Sequence, residues 1–303
     1  MNKIECFKIR LYKSKEIDLA HLNLTCPIFD IMCGTGSYTS RPVDIVADPF
    51  LFVYNDRLYL FYECKHMLEK GVLNMVSTCD LKSWTSPITI LDEPFHLSYP
   101  NVFEIDGEVY MIPETEKSHS IRIYKAKDDT LTSFSLYKKI LEHTDSSLIR
   151  TDYCDSSIIK KDDIYYLMTT VNYGKGNTLE LYYSDRFDGE YIKHPMSPLM
   201  TNNKYGRCGG APLNIDGKLY RVAQDCVNRY GDNVHVLQIE TLTMDTYLER
   251  VIVDNLFDTA TPYYKEGGHQ LNIVKFRNSY IIATDAKEYR SFLVPRILKK
   301  LIK

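Results

Sequence analysis

Side chains able to move protons or bind anions recur at matching places in this 303-residue chain. Asp48 lies in VADPF, His96 and Tyr99 in HLSYPNVF, Asp152 and Asp155 in DYCDSS, Arg207 in YGRCGGAP, and Glu266 and His269 in EGGHQLN. Carboxyls can give or take protons, and a guanidinium or imidazolium can bind an anion, so convergence of these groups would make a site for acid–base or group-transfer chemistry. Any one of them alone reads as a cap or turn residue. A second set closes later segments: Glu114 ends YMIPE, Gln224 and Asp225 end LYRVAQD, and Asp285 ends IIATD. The last three could equally well touch a ligand or hydrogen-bond between neighbouring structural units. His66, His119 and His235 read as surface or loop residues, and the glycines at 174 and 176 lack the strand-to-helix context of a phosphate loop.

What could bring such distant residues together is a repeat. Apolar alternation, a two-residue polar turn and a Tyr-bearing apolar stretch recur as FLFVYNDRLYLFYE, NVFEIDGEVYMIPE, SSIIKKDDIYYLMTT, APLNIDGKLYRVAQD and LNIVKFRNSYIIATD. Each reads as a hairpin turning at Asn55-Asp56, Asp106-Gly107, Asp162-Asp163, Asp216-Gly217 or Arg277-Asn278. The second turn residues stand 51, 56, 54 and 61 apart, the period of a four-stranded propeller blade. Weaker signatures ending in an aromatic follow four of the hairpins, such as VSTCDLKSW. The expectation is an all-β, five-bladed β-propeller, a single domain over 1–290, with Ile4–Tyr12 completing the last blade. A β-sandwich of irregular hairpins is the rival. In a propeller the innermost strands line the axis, which would gather the first set of residues at one axial end.

Composition fits this reading. Hydrophobic residues make up 44%, charged residues 25%, and the net charge is -3, which excludes a disordered chain and gives no basic field for nucleic acid. Twenty-four Tyr against one Trp suit half-buried strands and rings that pack on sugars. The eight cysteines, at 6, 26, 33, 64, 79, 154, 208 and 226, show no CxxC pair, so free thiols are expected, with no metal and no cofactor. No apolar run of signal-peptide length opens the chain, from which a cytoplasmic location is expected. The tail 291–303 alternates apolar residues with Arg and Lys. It reads as a basic amphipathic segment for peripheral membrane contact, or as a helix packing on the body.

The ADPF opening, the Ser77-x-x-Asp80-Leu81-x-x-Trp84 element and the hairpin repeat resemble the five-bladed glycoside hydrolases of families 43, 32 and 68. HLSYPNVF, YMIPE, LYRVAQD, YG and GGH resemble the domain at the N-terminus of plant glucosamine inositolphosphorylceramide transferases, where a separate glycosyltransferase domain follows, and bacterial proteins associated with surface polysaccharides. The first resemblance implies Asp48 as base or nucleophile and Asp155 as the residue tuning a neighbour's pKa. It also implies a Glu opening blade four as the acid, but that stretch reads Gly209-Gly210-Ala211, with Arg207 just before. Arg offers a planar fork for phosphate, and a phosphate leaving group needs charge neutralisation more than a proton. The expected activity is therefore glycosyl transfer from a nucleotide- or phospho-sugar to a glycan or lipid-linked glycan in surface-glycan assembly. In it Asp48 would act as base, Asp155 as its electrostatic partner, and Arg207 with His269 as anion binders. The rivals are a glycoside hydrolase using Asp48 and Glu114, and a non-catalytic glycan-binding module.

Overall fold

The structure, a computed structural model, describes residues 2–32, 43–66, 69–142, 152–172 and 176–292. Its strands form five antiparallel sheets, the five blades in chain order. Blade one spans Val43–Leu91, blade two Ser98–Glu142, blade three Tyr153–Thr201 and blade four Arg207–Val253. Blade five joins the two ends of the chain, in the strand order Leu271–Phe276, Ser279–Phe292, Asn2–Ser14 and Pro27–Ile31. The expected N-terminal closure is thus present, with Ile4 opposite Arg290 and Tyr12 opposite Ile282. The last strand runs to Phe292, two residues into the segment read as a tail. Residues 293–303 lie outside the described residues.

All five hairpins turn where the sequence placed them. In the first four, both turn residues have positive φ: 47° and 56° at Asn55-Asp56, 52° and 79° at Asp106-Gly107. Asn, Asp and Gly enter this region at least cost, and such turns match the right-handed twist of the strands they join. Apolar side chains fill the spaces between neighbouring blades. Phe50 and Phe61 of blade one meet Met111 and Tyr124 of blade two, while Ile9, Leu11 and Ile281 of blade five meet Leu58, Leu60 and Val76 of blade one. Each fully buried aliphatic side chain contributes about 1.5–3 kcal/mol, so the interfaces between blades carry the ring. The seam between blades five and one also holds Phe29 stacked on Trp84, ring centroids 4.1 Å apart.

Candidate functional site

In three blades the innermost strand breaks register at the same point. Asp48, Tyr99 and Asp155 have φ of 52°, 49° and 51°, and each lies at a β-bulge against the second strand of its hairpin. A bulge re-aims the side chain it carries, and left-handed backbone at non-glycine residues is stored strain of the kind found at functional sites. In blade four the inner strand is interrupted outright, between Arg207–Cys208 and Leu213–Ile215. A Cβ on Gly209 would lie 2.8 Å from the His269 carbonyl oxygen, and one on Gly210, at φ 153°, would lie 2.0 Å from that of Leu271. Blades four and five approach too closely here for any side chain, which is the physical reason no carboxylic acid opens blade four.

The bulges gather one cluster of carboxyls and cations. The Tyr99 backbone N–H donates to Asp48 Oδ2 at 3.0 Å, and His269 Nε2 lies 3.5 Å from Asp48 Oδ1. His269 Nδ1 lies 2.5 Å from Asp285 Oδ2, while the His269 and Gln270 backbone N–H groups both donate to Asp285 Oδ1. On the opposite side Arg207 Nε donates to Asp155 Oδ2 at 2.7 Å, and Arg207 Nη2 lies 3.7 Å from Glu114 Oε2. Asp48, Glu114, Asp155, Arg207, His269 and Asp285 therefore share one end of the axis.

Burial and pairing divide the protons unequally. Burial pushes Asp48 up to about 7, with His269 opposing and the other carboxyls reinforcing the rise. Burial followed by the charge of Asp155 lifts Glu114 well above the usual carboxylate range, against Arg207, and its buried Oε2 makes no hydrogen bond. Burial alone would deprotonate His269, but Asp285 and Asp48 outweigh it and raise the imidazole to about 9. The site thus holds two buried carboxyls, Asp48 and Glu114, both pushed above the usual carboxylate range, beside the side chains of Arg207 and His269. The ligating atoms of Asp48, His269 and Asp285 lie within 4.8 Å of one another, close enough to offer one ion two carboxylate oxygens and an imidazole nitrogen.

The other expected contacts are placed differently. Tyr99 is buried, and its hydroxyl donates to the Gly210 carbonyl at 2.7 Å and meets Ser157 Oγ at 3.3 Å, so it ties blade two to blades three and four. The Asp225 carboxyl turns to His235 at 3.2 Å. That histidine, read from sequence as a surface residue, is fully buried within blade four, where burial lowers its pKa. Gln224 Oε1 accepts from Cys226 Sγ, and Glu266 is bonded by Arg229 at 2.9 Å. Asp152 lies 3.3 Å from His119 Nδ1, and His96 accepts the Gly71 N–H at Nδ1 while its Nε2 lies 3.2 Å from Glu63 Oε1.

Two residues of the site escaped the sequence reading. Glu63, buried in the strand beside Asp48, faces Ala47 across the hairpin and adds to the field that lifts Asp48. Its signal was present: Glu63, Glu114, Thr170, Gln224 and Asp285 all stand seven residues beyond the second turn residue of their hairpins. Tyr230, whose ring lies over Arg207 at 5.2 Å and edge-on to His269 at 5.3 Å, sits in an irregular loop and carries no periodic signal.

Residues 8–284 match the family model described as glucosamine inositolphosphorylceramide transferase 1, N-terminal. The chain belongs to this family. It is similar to glucosamine inositolphosphorylceramide transferase 1 of Arabidopsis thaliana, 34% identical over 227 residues covering 72% of this chain and 28% of that protein. The Oryza sativa subsp. japonica protein of the same name matches at the same identity, with 29% of its length covered. The chain thus spans under a third of these relatives. Among solved structures, this member of the family resembles the catalytic domain of the Coprinopsis cinerea GH62 α-L-arabinofuranosidase, with TM-score 0.60 and 10% identity over 83% of this chain and 94% of that one. It also resembles a thermostable family-43 glycoside hydrolase, with TM-score 0.55 and 15% identity over 72% of this chain and 78% of that one. At such identities these likenesses show the five-bladed fold alone.

Proposed function

We propose that the axial site carries out glycosyl transfer on a glycan of the glycolipid kind that names its plant relatives, with two carboxyls as proton carriers. Glu114 gives its proton to the departing oxygen as the bond from the anomeric carbon breaks. Asp48 takes the proton of the acceptor hydroxyl as the new bond forms. The products are a new glycoside and a free alcohol, with Glu114 left ionised and Asp48 protonated until solvent resets both. Asp155, held by Arg207, keeps Glu114 neutral through its charge, the role of an electrostatic tuner. The observation that carries the reading is the presence of two buried carboxyls in one site with different partners, Asp48 at 3.5 Å from His269 and Glu114 at 3.7 Å from Arg207, a pair of the kind that supplies an acid and a base together. With water in place of the acceptor hydroxyl, the same steps are hydrolysis.

A second reading rests on Arg207. Its terminal nitrogens make no hydrogen bond to the described residues, only Nε being engaged, so its fork retains donors for the phosphate of a nucleotide- or phospho-sugar. Two variants separate the readings. Under the first, Glu114→Gln lowers turnover about a hundredfold or more on glycosides with poor leaving groups and little on activated aryl glycosides. Under the second, Arg207→Ala lowers turnover of nucleotide sugars by about a hundredfold, Lys restores little, and Glu114→Gln matters little. A wild-type protein that binds glycans yet turns over neither panel would overturn both readings and leave a binding module.

A further inference from the structure

Tyr230 belongs to a short loop between the second and third strands of blade four, and that loop is fixed with unusual care. Asp232 N–H closes it onto the Asp225 carbonyl at 2.9 Å. Arg229 clamps it from two sides, through Asp232 at 2.6 Å and Glu266 at 2.9 Å. Its backbone presses against blade five: a Cβ on Gly231, at φ 62°, would lie 3.0 Å from His269 Cβ, and one on Gly267 2.4 Å from the Asp232 carbonyl oxygen. From below, Lys287 Nζ donates to the Tyr230 carbonyl. Lys287 is 1% exposed, its next nearest acidic partner is Glu5 at 3.8 Å, and burying an ammonium costs several kcal/mol before any pairing. Met or Leu could fill the same place in the strand at no such cost.

The ring this scaffold presents is not itself packed away. Phe7 and His269, which it meets edge-on, are both buried, whereas Tyr230 is 41% exposed although the buried carboxyls Asp48, Asp155 and Glu114 lie near it. Arg207 occupies one face. A ring needed only to cover Phe7 and His269 would be enclosed by them. We infer that Tyr230 is the platform on which the sugar ring of the substrate lies, and that Lys287 is the positioning residue that sets its height. The substrate class this selects is a pyranose or similar ring with an apolar C–H face, seated above the Arg207–Asp155 pair. The inference rests on the axial site being a sugar site, as proposed above.

The test is direct binding to the full chain, by isothermal titration and saturation-transfer NMR, of methyl glycosides of glucosamine, N-acetylglucosamine, glucose and mannose. At least one binds the wild type. Tyr230→Ala weakens it by about tenfold or more, and Tyr230→Phe, which keeps the ring, stays within about twofold. Lys287→Met keeps its far-UV circular dichroism and a Tm no lower than the wild type, yet binds as weakly as Tyr230→Ala. Lys287→Gln, whose amide can still donate to the carbonyl, recovers part of the loss and decides the matter if the Met variant fails to fold. Equal affinity of Tyr230→Ala and wild type overturns the platform while the sugar site stands, and equal affinity of the folded Lys287 variants overturns the positioning role. Binding of none of the glycosides to the wild type overturns the sugar site and the platform with it.

Discussion

Replacing Asp285 with Asn isolates the ion pair beneath the site with little change of shape. The side-chain oxygen can still accept the His269 and Gln270 backbone N–H groups, and the new amide can donate to Nδ1 of a neutral imidazole. What disappears is the charge 2.5 Å from Nδ1, together with the oxygen that accepts the Asp48 backbone N–H at a long 3.3 Å. His269 stands at about 9 against an ordinary 6.5, a net stabilisation of the imidazolium of about 3 kcal/mol. Because burial works against that rise, the carboxylates together supply more than this figure, and Asp285 is the larger of the two. In the Asn variant the desolvation of His269 should win, and its midpoint should fall by about two units or more. Asp48, having lost a neighbouring cation, should climb further above 7. The assay is the NMR titration of the His269 ring protons alongside the pH profile of turnover. In the wild type the imidazolium stabilises the folded state below pH 6.5, and this contribution fades as pH rises through about 9. In Asp285→Asn that dependence should vanish from the alkaline side of the stability curve. A His269 midpoint that stays near 9 in the variant would refute the pairing argument.

Other outcomes follow from the same geometry. The pH profile of kcat/KM in the wild type should rise through about 7, as Asp48 ionises, and fall on the alkaline side as Glu114 loses the proton it must donate, the two limbs being apparent values of a coupled set. Asp48→Asn should abolish turnover and stabilise the fold above neutral pH: a carboxyl held at about 7 against an ordinary 3.8 opposes folding as pH rises from 4 to 7, by about 4 kcal/mol in all, which denaturant melts at pH 5 and 8 would measure. Tyr99→Phe should lower stability by about 1–3 kcal/mol, because the buried Gly210 carbonyl loses its hydroxyl donor. Deleting residues 293–303, which spares the last strand, should release the protein from anionic liposomes without lowering its Tm, as expected of a basic amphipathic tail; equal liposome binding of the two forms would discard that proposal.

The ring was legible because four of the five hairpins repeat the same turn chemistry, with Asn, Asp or Gly at both left-handed positions, and the fifth keeps the same alternation around its turn. The end where the polar residues gather was legible for a related reason, since residues at the start of each repeat must converge once a ring is assumed. Contacts made across the axis were not. Nothing in SYPN shows that the Tyr99 ring turns inward to Gly210, and nothing in GRCGG shows that Arg207 is already shared between Asp155 and Glu114. His235 was misread because a single histidine in alternating sequence gives no sign of the Asp225 and Asp254 carboxyls that border it. Tyr230 was missed because its place is set by clamps from Arg229 and Lys287, which belong to tertiary structure and leave no period.

The seam in blade five bears on how the chain reaches this shape. Asn2–Ser14 pairs with Pro27–Ile31 along part of one edge and with Ser279–Phe292 along the whole of the other, so the longer edge of this early strand is among the last to be paired. At 5–20 residues per second of synthesis, it waits about 13–53 s for that partner to be made. Throughout that interval the seam side of blade one lacks the strand core it packs against, and a 13-residue strand stands open to pairing with another nascent copy. Expression at high ribosome density should therefore favour exchanged dimers, in which the first strand of one molecule completes the last blade of its neighbour.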